Sequence, residues 1–195
     1  MELDEIKSYT IRQALPDSAK AALLVVDKQN YFRELAEPIL SNILSLLTIC
    51  RSKGVEVIFT RHGHLDPLKD GGRLKEWWGE LIEYGTRGWE LMEELDAPQE
   101  LILDKNRYSA FFNTGFEERL QRWGVQDLII TRVMTNYCCE TTARDAFMRD
   151  YRVFFVADAT ATNDEELHVA TLKNLAFGFA YIVDTRTLCQ YLNCV

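Results

Sequence analysis

Short apolar runs unbroken by polar residues constrain this chain most. Ala21-Ala22-Leu23-Leu24-Val25-Val26 is the first of them. Side chains alternate between the two faces of a strand, so such a run fits a strand buried on both sides. Further strands are predicted at 55–60, 100–103, 127–131, 152–157 and 180–183. Between them lie segments of helical period, predicted at 38–53 (stopped by Gly54), 115–123, 139–150 and 165–176. Strands alternating with helices imply a parallel sheet covered on both faces and joined by right-handed crossovers. The expected class is therefore α/β, a Rossmann-like three-layer α/β/α sandwich.

At 195 residues the chain suits one domain, 1–195, with no repeat, low-complexity tract or linker. A net charge of −8 without a basic cluster argues against a nucleic-acid partner. No stretch approaches the roughly 18 apolar residues of a membrane helix. The start, Met1-Glu2-Leu3-Asp4-Glu5, is acidic where a signal peptide is basic and then apolar. Five scattered cysteines make no disulfide framework. These features predict a reduced, cytoplasmic protein with a small-molecule substrate, no nucleic acid and no membrane.

In such sheets ligands bind outside the carboxyl ends of the strands, so the residues that follow each strand are the ones to inspect. Asp27 ends the first strand, Lys105 follows the third, and Cys138 lies in the turn after the fourth. Taken singly, each has a plainer reading: a turn residue, a solvated charge, a small buried hydrophobe. Together on one sheet edge they offer complementary chemistry. A carboxylate takes the thiol proton, an ammonium balances the charge, and backbone N–H groups of the turn receive an oxyanion. A helix opening just after the cysteine predicts a lowered thiol pKa. Cys139 reads as core. The poorly patterned stretch 65–95, with Trp77, Trp78, Tyr84 and Trp89, lies at the same edge, where long insertions are usually functional.

Three motifs carry a resemblance. Asp-x-Gln-x-x-Phe at Asp27 to Phe32, Lys-x-x-Tyr-Ser-Ala-Phe at Lys105 to Phe111, and Val-x-Thr-Asn-x-Cys-Cys-Glu-Thr-Thr-Ala-Arg-Asp-Ala at Val133 to Ala146 are similar to those of the isochorismatase-like cysteine hydrolases. This superfamily includes nicotinamidases, N-carbamoylsarcosine, biuret and ureidoacrylate amidohydrolases, and isochorismatases. The resemblance extends from about Ala21 to Thr187 and implies a six-stranded parallel sheet of order 3-2-1-4-5-6. It places the catalytic Asp, Lys and Cys on Asp27, Lys105 and Cys138, and a cis peptide at Val133-Met134. The oxyanion donors it implies are the backbone N–H groups of Met134 and Cys138. It also implies self-association as a homo-oligomer.

Two departures accompany it. Arg132 stands where the family usually has glycine, a change expected to affect the entrance or subunit packing and to leave the triad untouched. Metal-binding nicotinamidases carry Asp-x-His after the second strand, and this chain reads His62-Gly63-His64. A makeshift site from His62, His64 and Asp66 is outweighed by loop histidines facing solvent or substrate, so neither metal nor cofactor is expected and nicotinamide is disfavoured. Phe32, Tyr108, Tyr137 and His64 are the expected substrate-binding residues. The expected activity is cysteine-dependent hydrolysis of a C–N bond in a small amide, carbamoyl or ureido compound. Vinyl-ether hydrolysis of the isochorismatase type and a catalytically silent binding relative are the alternatives.

Overall fold

The structure, a computed structural model, describes residues 3–95 and 100–194. Met1 and Glu2 of the acidic start lie outside the described residues. Six strands form one sheet: β1 Ala21–Val26, β2 Glu56–His62, β3 Leu101–Lys105, β4 Asp127–Val133, β5 Arg152–Ala161 and β6 Tyr181–Val183. Their order is β3-β2-β1-β4-β5-β6 and every neighbouring pair is parallel, the order expected above. The helices are α1 Arg33–Ala36, α2 Leu40–Ser52, α3 Pro67–Asp70, α4 Gly72–Trp78, α5 Phe116–Arg122, α6 Glu140–Phe147, α7 Glu165–Gly178 and α8 Thr185–Cys194.

β1 divides the core. Ala22, Leu24 and Val26 point to one face, against Phe116 and Leu120 of α5, Ala143 and Ala146 of α6, and Leu172 and Leu175 of α7. Ala21, Leu23 and Val25 point to the other, against Ile43, Leu46 and Leu47 of α2 and Leu188 and Leu192 of α8. The unbroken apolar run has this origin: there is no wet face for a polar residue to occupy. Burying each of these branched side chains stabilises the fold by about 1.5–3 kcal/mol. Gly54, at φ 68°, ends α2 in the left-handed conformation that glycine takes without a Cβ clash.

Several boundaries differ from expectation. Helix 38–53 divides into a short 3-10 turn, Glu37–Ile39, followed by α2. β3 extends to Lys105, so the lysine is the last strand residue rather than two residues beyond the expected end at 103. β5 runs on to Ala161, because after an irregularity between Ile130 and Arg132 the register resumes with Arg132 beside Thr160. The 65–95 segment forms α3 and α4 and then crosses the carboxyl edge of the sheet, where Gln29 bridges Leu91 and His64 bridges Glu83.

Candidate active site

The three strand-end residues meet. Asp27 follows β1 at φ 51°. Its N–H donates to Thr60 Oγ1 over 2.8 Å, and that hydroxyl donates back to Asp27 Oδ1 over 2.8 Å. One β2 side chain thus holds both the backbone and the carboxylate. Lys105 Nζ donates to Asp27 Oδ2 at 2.9 Å, to Cys138 Sγ at 3.2 Å and to the Arg107 carbonyl at 3.2 Å. Three N–H groups on one ammonium meet three acceptors. Asp27 and Lys105 are buried and Cys138 is only 7% exposed.

Burial is the largest single influence on the Asp27 carboxyl and pushes it up, but Lys105, His62 and the hydrogen bonds together outweigh it, and the net shift is down. Burial likewise pulls Lys105 down, yet Asp27 and Cys138 carry it above its usual range. The Cys138 thiol goes up, first through burial and then through the Asp27 carboxylate, with Lys105 opposing. At rest the site is therefore carboxylate, ammonium and neutral thiol.

That corrects the expected lowering of the thiol pKa by a helix that opens after the cysteine. The helical turn opens earlier: Thr135–Cys139 is a single π-turn leading into α6, with Met134 as its N-cap. The N–H groups of Tyr137 and Cys139 donate to the Met134 carbonyl. Cys138 thus lies within the first turn and not ahead of it, and desolvation dominates the dipole. The Val133-Met134 peptide is cis. Thr135 Oγ1 lies 2.9 Å from His168 Nδ1, and Asn136 Oδ1 accepts from Thr162 Oγ1 at 2.7 Å, so α7 and the loop after β5 pin the turn.

Of the expected pocket residues, Tyr108 and Tyr137 pack against each other. Their ring centroids are 5.5 Å apart, and the Cys138 and Lys105 charges both act on the Tyr108 phenol. Trp78, at the end of α4, donates Nε1–H to the Tyr108 hydroxyl at 2.7 Å and stands edge-on to Tyr137 at 5.5 Å. Phe32 instead packs against Tyr31 and the core that holds Val25 and α2. His64 is fully buried, with Nδ1 3.0 Å from Asp70 Oδ1. The expectation that it faces solvent or substrate is corrected: it anchors the segment carrying α3 and α4.

His62 is buried as well, its ring 5.2 Å from that of His64, and burial with the nearby Lys105 brings its pKa down to about 3. His62 Nδ1 and His64 Nε2 have no hydrogen-bond partner. The donor set goes no further. Asp66 caps Leu68 N–H and pairs with Lys69, and Asp70 is engaged by His64 and the Leu65 N–H. Among the described residues no group of three or more His, Cys, Asp or Glu can hold a metal ion, so these residues do not fit the metal of metal-binding relatives.

Arg132 is also corrected. It is not at the entrance but fully buried, at φ 90°, donating from Nη1 to the Asp27 carbonyl. Thr60 was missed by sequence reasoning, whereas His62 and Trp78 were noted there without the buried and Tyr108-bonded places they take. Thr60 had a usable signal, because a hydroxyl near the end of β2 faces the end of β1 once the two strands pair.

Comparison with known proteins gives a consistent picture. The family model described as "Isochorismatase domain" matches residues 21–187. Nicotinamidase 3 of Arabidopsis thaliana is 50% identical over 189 residues, covering 94% of each chain. The isochorismatase of Bacillus subtilis is 35% identical over 187 residues, covering 91% of this chain and 60% of its own. A cysteine hydrolase from Pseudomonas syringae superposes with a TM-score of 0.87 at 27% identity, covering 94% of this chain and 99% of that one.

Proposed function

The chain belongs to the isochorismatase family and is a hydrolase; from that premise we propose that it cleaves the C–N bond of a small planar amide through Cys138, Asp27 and Lys105. The observation that carries this is the single ammonium 2.9 Å from the carboxylate and 3.2 Å from the sulfur. Asp27, ionised at rest, takes the thiol proton as Cys138 Sγ attacks the carbonyl carbon. The tetrahedral oxygen is received by the N–H groups of Met134 and Cys138. Asp27 returns the proton to the departing nitrogen, leaving a thioester. A water deprotonated by Asp27 then attacks, releasing the acid and restoring the thiol. Lys105 stays protonated and balances whichever of the two neighbours is anionic.

Nicotinamide is the substrate we favour within this class. The relative that is 50% identical over 94% of each chain bears the name nicotinamidase. A flat heteroaromatic amide also suits the cluster of Trp78, Tyr108 and Tyr137 rings, whose Tyr137 precedes the nucleophile in the chain. The two-imidazole donor set argued against nicotinamide only by analogy with metal-binding relatives, and no step above uses a metal. Cytoplasmic location, a homo-oligomeric state and one domain over 1–195 belong to the same reading. Among the described residues no helix is long and apolar enough to cross a membrane.

The test is ammonia release from nicotinamide, biuret, ureidoacrylate and N-carbamoyl amino acids, with Cys138→Ala alongside. Release from nicotinamide that disappears in the variant is the expected result. Equal release by the variant refutes covalent catalysis, and turnover of a ureido compound alone refutes the nicotinamide assignment.

A further inference from the structure

We propose that Arg132 is a positioning residue for the catalytic base, locking the Asp27 peptide in place and holding its carboxylate ionised from behind. The inference rests on the role proposed above for Asp27. Arg132 is among the largest fully buried side chains of the protein. It belongs to β4, beside Val26 of β1, so its side chain starts one residue from Asp27. Nη1 donates to the Asp27 carbonyl and Nη2 to Met92 Sδ, while Nε has no partner. Among the described residues no carboxylate is bonded to it. A guanidinium in such a place is costly unless its charge acts on something, and Asp27 is the foremost charge that favours its cationic form.

Two things follow from this geometry. Asp27 sits at φ 51°, where a residue with a Cβ stays only when its surroundings hold it. The holding groups are Thr60 on the Asp27 N–H and, on its carbonyl, the Gln29 N–H at 2.8 Å together with Arg132. The Met92 contact ties the same guanidinium to the crossing segment, whose Met92 N–H donates to the Lys28 carbonyl. The second consequence is electrostatic. Lys105 from β3, His62 from β2 and Cys138 from the π-turn act on Asp27, and Arg132, which burial lowers to about 10 against the pull of Asp27, still brings a second cation from β4 at neutral pH. Around Arg132 itself the charged and titratable groups are Asp27, Cys139, Arg33 and Glu94. With two cations against one carboxylate and a neutral thiol, the site has an excess of positive charge that favours ionised Asp27 and the anionic sulfur it generates.

The test follows Cys138 alkylation by iodoacetamide against pH, which needs no substrate. Where thiol and carboxylate share a proton, the acid limb of reactivity reports ionisation of the pair. Arg132→Met is expected to move that limb up by about one pH unit, a tenfold slower reaction at a pH on the limb. Arg132→Lys, which keeps the charge, should return it to within about 0.3 unit. If Arg132→Met does not fold, Arg132→Gln, which keeps a donor for the carbonyl without the charge, is expected to shift the limb in the same direction. A folded Met or Gln variant with an unmoved limb overturns the proposal, as does a rate reduced equally at every pH. Loss of all amide hydrolysis with the limb shifted would sink the reading of function instead. An unmoved limb with Cys138-dependent hydrolysis intact would sink this inference alone.

Discussion

The Lys105 ammonium is the hinge of the site's charge balance. Removing it as Lys105→Met leaves Asp27 fully buried with its nearest cation gone, a defect that typically costs about 3–5 kcal/mol. Thermal or urea unfolding should register that loss, and unchanged stability would mean that Asp27 had become neutral or hydrated. The sulfur makes a separate prediction. Because its thiol is pushed up by burial and by Asp27, Cys138 in the empty enzyme should react with iodoacetamide at neutral pH at least about tenfold more slowly than a free thiol. A faster reaction would mean a resting thiolate and contradict the charge state described above. At this scale the sequence was informative about position and less so about environment. Strand ends located Asp27, Lys105 and Cys138, because an apolar run that stops must stop at the rim of the sheet. Burial of Arg132 and His64 was illegible: both are polar residues in segments that read as loop or strand end, and their contacts with Met92 and with Asp70 and Ile82 of the 65–95 segment are tertiary.

Among the elements, the π-turn between β4 and α6 carries the nucleophile and is held by side chains from elsewhere in the chain. Thr135 and His168 are 33 residues apart and meet at 2.9 Å, both buried. Thr135→Val keeps the volume and strands the imidazole without its partner, which should lower stability by about 1–3 kcal/mol. Hydrolysis should fall by more than the folded fraction does, since the turn bears Cys138. Thr135→Ser, which retains the hydroxyl, should recover most of both, and a Val variant with wild-type kcat would show that the pin does not govern the turn. Element order and type were largely legible here, since β1 to β6 each left an apolar run. Element ends were not. β5 continues through Asp158 to Ala161 because β4 resumes pairing after its irregularity, a tertiary event with no local signature. The segment containing α3 and α4 lacked a readable period for a related reason. Its helices have four and seven residues, too short to repeat an apolar stripe.

Across the whole molecule, acid should be the weak side of the stability profile. His62 has a folded pKa of about 3 against an ordinary 6.5, and His168 is also lowered by burial. Between those two values the unfolded chain binds protons that the folded chain refuses, so unfolding becomes easier as pH falls. For His62 alone the slope can approach 1.4 kcal/mol per pH unit within that window. Below about pH 4 the lowered Asp27 adds to it: stability present above the ordinary carboxylate pKa of 3.8 is lost as pH drops through the folded value. On the alkaline side Lys105 is raised above 10.5, so its contribution persists until pH passes that value. The buried thiols of Cys50, Cys138 and Cys139 are raised from 9.0, so unfolding already eases above about pH 9, and the expected profile is a plateau from about 6.5 to 9 with a steep acid shoulder. Chemical denaturation at pH 7, 6, 5 and 4 should trace the shoulder, and His62→Asn, which cannot take up a proton, should flatten it. A shoulder that begins only below pH 4, with the Asn variant superimposable on the parent, would place the loss on carboxylates. In that event the folded state would let His62 take up its proton near the ordinary 6.5, and below that pH Asp27 would face three positive neighbours instead of two.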